Sequence, residues 1–208
     1  MNRKDGHKSR DFIGFGKSPP SIRWPNNARL AISLVVNYEE GSERSFAMGD
    51  NDQEPLTEWG SYPFPADKRN FAMESMFEYG SRVGIWRILD LFEELKVNST
   101  FFSCAVAFEK NDEVARAFAD SEHDLCSHGY RWEETFRLTR EQESQNIQKA
   151  IASFNNTCGK SPEGWYCRYG PSENTRELIV NEGNFLYDCD AYNDDTPYFV
   201  QVLGKQHL

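Results

Sequence analysis

Cysteine is scarce and does not pair in any pattern. The 208 residues carry five, Cys104, Cys126, Cys158, Cys167 and Cys189, with no C-x-x-C spacing among them. An odd, scattered set makes a poor disulfide framework and fits buried thiols in a reducing compartment, so a cytoplasmic location is expected. Positive charge is also short: 23 Lys and Arg stand against 33 Asp and Glu, a formal net charge of −10. Nucleic acid and anionic membrane surfaces are therefore excluded as expected partners. No apolar run approaches the ~20 residues of a membrane span. The charged start, Met1 to Arg10, lacks the apolar stretch of a secretory signal. No internal repeat or low-complexity segment stands out.

What is present argues for one folded domain with a real core. The hydrophobic fraction is 38% and the aromatic fraction 14%, too rich for a disordered chain. Residues 1–29 read as an N-terminal arm, with Phe12, Ile13, Phe15 and Trp24 as its anchors. Residues 30–208 read as the domain. The apolar run Leu30–Val36 suits a strand buried on both faces of a parallel sheet, and it runs straight into Glu39, Glu40 and Gly41. Residues 42–68 form a long polar loop, read as an ordered flap by Trp59, Tyr62 and Phe64.

Further on, Ile85, Ile88, Leu89, Phe92 and Leu95 hold a helical spacing over Ser81–Leu95, and Glu74–Gly80 reads as a short turn or helix before it. Strands are expected at Asn98–Cys104, Glu122–His128, Glu163–Cys167, Phe185–Asp188 and Tyr198–Leu203. Asp112 is expected to cap a helix ending near Ala119. Thr139 and Gln142 form a capping box for a helix that stops before Gly159, and Asn174 caps one that ends at Gly183. Strand and helix alternate, the signature of βα units around a parallel sheet, either a barrel or a doubly wound sheet. Polar residues recur at strand ends, at Glu39/Glu40, His128, Arg168 and Asp188/Asp190, which favours a (β/α) barrel whose strand ends converge on one site.

The ordered set Val36-Asn-Tyr-Glu39-Glu40-Gly41, His123-Asp-x-x-x-His128, Arg168 and Asp188-x-Asp190 resembles the polysaccharide deacetylase (NodB-homology) family. The resemblance implies a distorted (β/α) barrel that hydrolyses amide bonds, with Glu39 as catalytic base and Glu40 and His128 as metal ligands if a metal is bound. The family's second motif ends in a histidine that also binds the metal, and here Trp132 stands in that place. Three protein ligands are usual for a hydrolytic zinc, so no cofactor is the first expectation and zinc or another divalent metal the alternative. His123 reads as structural.

The blocks Glu74–Gly84, Ser127–Glu133, Gly164–Tyr166 and Tyr187–Asp195 are similar to the allantoinase-related branch, which implies opening of a cyclic ureide. The alternative is a metal-dependent N-deacetylase of chitin or another N-acetylated glycan. In the first reading Glu39 is the base, Glu40 and His128 position the water, and Arg168 meets the developing charge. Arg131, Trp132, Trp165, Tyr166 and Asp190 are the candidate substrate contacts. Arg131 has Glu133 as a second possible partner, and the Asp188/Asp190 pair either orients Arg168 or decorates a turn. Glu74 and Glu78 read as a solvated face. The family's barrel needs a further strand and helix beyond Leu208, so the chain reads as truncated. It then folds poorly alone or completes itself as a homo-oligomer, and an inactive fragment or ligand-binding paralogue is the reading of another class.

Overall fold

The structure, a computed structural model, describes residues 10–55 and 64–208. Five strands form one parallel sheet in sequence order: β1 (Val35–Tyr38), β2 (Thr100–Ser103), β3 (Asp124–Ser127), β4 (Gly164–Trp165) and β5 (Tyr187–Asp188). Helices connect them: α1 (Phe71–Tyr79) and α2 (Ile85–Leu95), then α3 (Ala105–Lys110) and α4 (Asp112–Ala119), then α5 (Arg140–Cys158), then α6 (Thr175–Glu182). This is the α/β fold that the alternation predicts. The sixth expected strand does not join the sheet. β6 (Val200–Val202) instead pairs antiparallel with β7 (Lys205–His207) as a hairpin. Leu203 and Gly204 both take positive φ in its turn, as a two-residue loop matching strand twist requires.

Register separates the sheet into two faces. Val36, Phe101 and Leu125 lie side by side on one face, followed by Tyr38, Ser103, Ser127, Trp165 and Asp188. The helices cover this face, and Phe108, Phe118 and Phe154 pack into it with α2, α4 and α5. The other face carries Asn37, Phe102, Cys126, Gly164 and Tyr187. Gly164 is required there. A Cβ at this position would lie 2.2 Å from the Tyr187 ring, which crosses β4 so that its hydroxyl donates to Asp124 Oδ2 of β3 at 2.9 Å.

Several expectations are corrected. The first strand is shorter and later than Leu30–Val36, and it is not buried on both faces, since Leu30 and Ile32 are 70% and 76% exposed. β1 is an edge strand with an open face, so an apolar run there need not be covered among the described residues. Phe12 and Ile13 are exposed, so among the described residues they are not buried anchors of the arm. Asn111, not Asp112, caps α4, accepting from Val114 N. Asn174 precedes α6 without a side-chain cap and accepts from Arg140 instead. The Ser81–Leu95 helix starts earlier, because α1 and α2 are joined by a π-helical turn, Gly80–Gly84. Glu40 Oε1 lies against Gly80, and such turns make room of this kind inside a helix. Glu74 and Glu78 are not merely solvated: each pairs with an arginine, Arg69 at 2.6 Å and Arg82 at 3.3 Å. Trp59 and Tyr62 of the expected flap lie outside the described residues.

Other expectations hold. α5 opens with the Thr139/Gln142 capping box and ends at left-handed Gly159. His123 is structural: its ring packs between Phe92 and Phe101 and its Nδ1 accepts from Ser99 N. The described cysteines are free thiols, all buried except half-buried Cys189. Among the described residues no helix is long and apolar enough to cross a membrane.

Two features carry testable consequences. Gly164→Ala forces the Tyr187 ring off its path, an overpacking expected to cost about 1–3 kcal/mol and to be read as a lower urea midpoint. Asp188, buried at the end of β5, pairs with Arg176 at 2.7 Å and His207 at 3.2 Å. Burial pushes its carboxyl up, but the close His207 ring and the two hydrogen bonds from Arg176 outweigh burial and hold it down to about 2. Its folded-state value lies below the unfolded one near 3.9. The stabilisation is therefore complete above about pH 4 and is lost as pH falls through 2. In Asp188→Asn, the stability deficit measured by urea unfolding at pH 6 is expected to shrink by roughly 2–3 kcal/mol at pH 2.

Candidate active site

Alternation places one residue just past each strand on the open face: Glu39, Cys104, His128, Tyr166 and Cys189. The ladder runs one step beyond the strands to hold them level. Cys104 N donates to Tyr38 O, His128 N to Ser103 O, Tyr166 N to Ser127 O and Cys189 N to Trp165 O. In parallel α/β folds this C-terminal edge is where side chains from separate strands meet.

Cys104 and His128, with Trp132 and Arg168 from the segments that follow β3 and β4, meet here on the carboxylate of Glu39. Glu39 Oε2 accepts from Trp132 Nε1 at 2.6 Å, pairs with Arg168 Nε at 3.2 Å and lies 3.6 Å from His128 Nε2. The Cys104 thiol stands 3.9 Å from the same oxygen. Glu39 Oε1 accepts from Asn37 Nδ2 at 3.0 Å. Local structure explains how Trp132 arrives. Gly129, at φ +89°, turns the chain back after β3. Ala105 N and Val106 N, free at the start of α3, donate to the Gly129 and Tyr130 carbonyls. Trp132 N then donates to Ser42 O at 3.0 Å, and its ring meets Phe77 edge-on.

The remaining groups are fixed just as firmly. The Arg168 guanidinium lies over the Trp132 ring at 4.0 Å and over Tyr169 at 5.0 Å, a stacked geometry that lysine would not reproduce. Its Nε is buried without a hydrogen-bond partner. The His128 ring stacks on Tyr166 with centroids 4.9 Å apart, and its Nδ1 donates to Tyr166 O at 2.6 Å. Burial pushes His128 below the ordinary histidine range, against the opposing pull of Glu39. Neutral His128, protonated on Nδ1, leaves its Nε2 lone pair beside Glu39. Burial pushes the Cys104 thiol well up, so it stands there as a neutral thiol.

The other sequence candidates lie elsewhere. Glu40 turns away: its Oε2 accepts from Glu39 N, and its side chain lines a separate cavity of about 380 Å³ with Glu43, Phe77 and Lys110. Burial raises its carboxyl. Arg131 pairs with Asp50 at 2.6 Å, not with Glu133, and also donates to Glu43 O, clamping the segment after β1 against the site. Trp165 falls on the helix-covered face and packs on Phe185. Asp190 accepts from Cys167 N, and burial pushes it up to about 6. Neither it nor Asp188 orients Arg168. Asn37 and Cys104 were not among the sequence candidates, although the period of two along β1 and β2 puts both on the face of Glu39.

The zinc that the motif implies does not fit these residues. The oxygen of Glu39 nearest His128 already takes an indole N–H, and a guanidinium faces it. Trp132 offers no lone pair, and Glu40 points away. Among the described residues no group of three or more His, Cys, Asp or Glu side chains could hold a metal ion.

Comparison with known proteins identifies the family. The profile of the family described as polysaccharide deacetylase matches residues 67–186. A Schizosaccharomyces pombe protein assigned to the polysaccharide deacetylases is 40% identical over 204 residues, covering 93% of this chain and 63% of that protein. A crystal structure described as PuuE allantoinase superposes with a TM-score of 0.87 at 43% identity, covering 95% of this chain and 66% of that one. A peptidoglycan deacetylase of Helicobacter pylori is 32% identical over 126 residues, 60% of this chain and 43% of that protein. The chain thus spans less than two thirds of each of these relatives.

Trp132→Phe keeps the ring but removes the N–H that Glu39 accepts. A hydrogen bond to a charged group contributes about 1.5–3 kcal/mol, so urea unfolding of this variant is expected to show a loss of that size.

Proposed function

Because the chain belongs to the polysaccharide deacetylase family, we propose that it hydrolyses a carbon–nitrogen bond other than a peptide bond, and that its substrate is a cyclic ureide, allantoin, opened to allantoate. The observation that carries this reading is the 2.6 Å hydrogen bond from Trp132 to Glu39. It puts a proton donor where the motif of metal-dependent members has a ligand, so the water must be activated by protein groups alone. Similarity to the allantoinase supports the same substrate class.

The residues divide the work. A water held between Glu39 and the Nε2 lone pair of His128 loses a proton to Glu39 as its oxygen bonds to the ring carbonyl carbon. The carbonyl oxygen becomes negative and is met by the Arg168 guanidinium, whose Nε stands 3.2 Å from Glu39 Oε2 but makes no hydrogen bond there. The C–N bond then breaks, and Glu39 returns the proton to the departing ring nitrogen. Tyr166, stacked on His128 and contacting Tyr192, offers an aromatic wall for a flat ring. Glu40 and Arg131 act at a remove, one holding the Glu39 backbone and the other the segment that carries Ser42.

Hydrolysis of allantoin is expected to resist a chelator, and Glu39→Gln is expected to lower it by roughly 10²–10⁴-fold with little change in Tm. Chelator-sensitive release of acetate from N-acetylglucosamine oligomers, without turnover of allantoin, would replace this reading with a metal-dependent N-deacetylase. An absence of both activities would mark a ligand-binding paralogue.

A further inference from the structure

We infer that Asn37 is a positioning residue that selects Oε1 of Glu39 as the oxygen that takes the proton from water. This inference rests on the reading of Glu39 as the base. The two oxygens of that carboxylate have unequal surroundings. Oε2 is crowded: the Trp132 indole at 2.6 Å, the Arg168 guanidinium at 3.2 Å, the His128 ring at 3.6 Å and the Cys104 thiol at 3.9 Å all face it. The indole and the thiol already donate to it, which takes up its lone pairs. Among the described residues Oε1 has one donor, Asn37 Nδ2 at 3.0 Å, so it keeps lone-pair capacity for a further proton.

Asn37 is well placed for this task. It lies two residues before Glu39 on β1, so both side chains leave the same face. Its backbone is held in register opposite Phe102, and its own side chain is on the open face. A carboxylate anchored at one oxygen alone can still rock about its last bond. A donor at each oxygen fixes the plane, and a general base must keep its lone pair aligned with the O–H bond it breaks. The proton moves from water to Oε1 as the oxygen–carbon bond forms, and from Oε1 to the ring nitrogen as the carbon–nitrogen bond breaks.

The test compares Asn37→Asp and Asn37→Ala on the full 208-residue chain. Aspartate has the same shape but no N–H, and it sets a second carboxylate against Glu39. If Asn37 only fills space, Asp is the milder change and kcat stays within about twofold of wild type. If it positions Oε1, both variants lose roughly 10-fold or more in kcat with KM nearly unchanged, and Asp is the worse of the two. A second reading does not depend on turnover. The Asn37 side-chain amide resonances of the ¹⁵N-labelled chain are expected to shift in Glu39→Gln, which weakens the acceptor. Unmoved resonances, or an Asn37→Asp enzyme with wild-type kcat, would overturn the assignment. Shifted resonances in a chain that opens no ureide would overturn the ureide reading and leave the Asn37–Glu39 pairing standing.

Discussion

A carboxylate with 12% of its side chain exposed has left most of its water and needs donors and cations in exchange. Glu39 is such a group, and much of the nearby structure supplies its surroundings. β1 brings Asn37 and Glu39 itself, β2 the Cys104 thiol, β3 His128, and the turn after β3 the Trp132 indole. The segment after β4 brings Arg168. No two neighbouring elements could supply the set. The parallel register that keeps these strand ends level is therefore a condition of the chemistry, and the segment beyond β1 is pinned for the same reason, by Arg131 on Asp50 and by Trp132 N on Ser42 O.

The helices matter to the site mainly through what they cover. By burying the Val36, Phe101 and Leu125 face they leave the alternate residues to the open side. The π-helical turn between α1 and α2 serves a local purpose, since Gly80 admits the Glu40 carboxyl that any side chain there would displace. The two adjacent glutamates are thereby separated. One is held among cationic and N–H donors, and the other is half-buried near Glu43, where desolvation raises it. Like charges that share a sequence motif need not share a site.

Much of this was legible in the sequence, for identifiable reasons. The alternation of apolar runs with 3.6-residue patterns gave the βα order, and the Thr139/Gln142 box and Gly159 bounded α5 correctly, because caps and periodicity are local signals. Glu39, His128 and Arg168 were recognisable from ordered motifs, and the structure brings them together. What failed was non-local. The run Leu30–Val36 has the composition of a central strand, but nothing in it reports that β1 lies at an edge. Val200–Val202 reads as one more strand until the positive-φ turn at Leu203–Gly204 folds it onto Lys205–His207. Trp165 and Tyr166 look equivalent as aromatic neighbours, and a single step along β4 sends one into the core and the other to the site. Arg131 and Asp190 carried charges that suggested substrate contact, whereas their partners, Asp50 and the backbone of Cys167, are distant in sequence.

Tyr187 spans the width of β4 to reach Asp124, and it can do so because Gly164 has no side chain in its way. Hydrogen-bonded ladders resist separation of strands but yield more readily to sliding. A ring laid crosswise over the middle strand acts as a batten, since slippage of β3 against β5 would drag the phenol from its carboxylate. The His128 and Tyr166 rings, stacked one step beyond those strands, inherit that stiffness. Their spacing is set from below by Tyr187, which can lie across β4 only because Gly164 leaves its path empty.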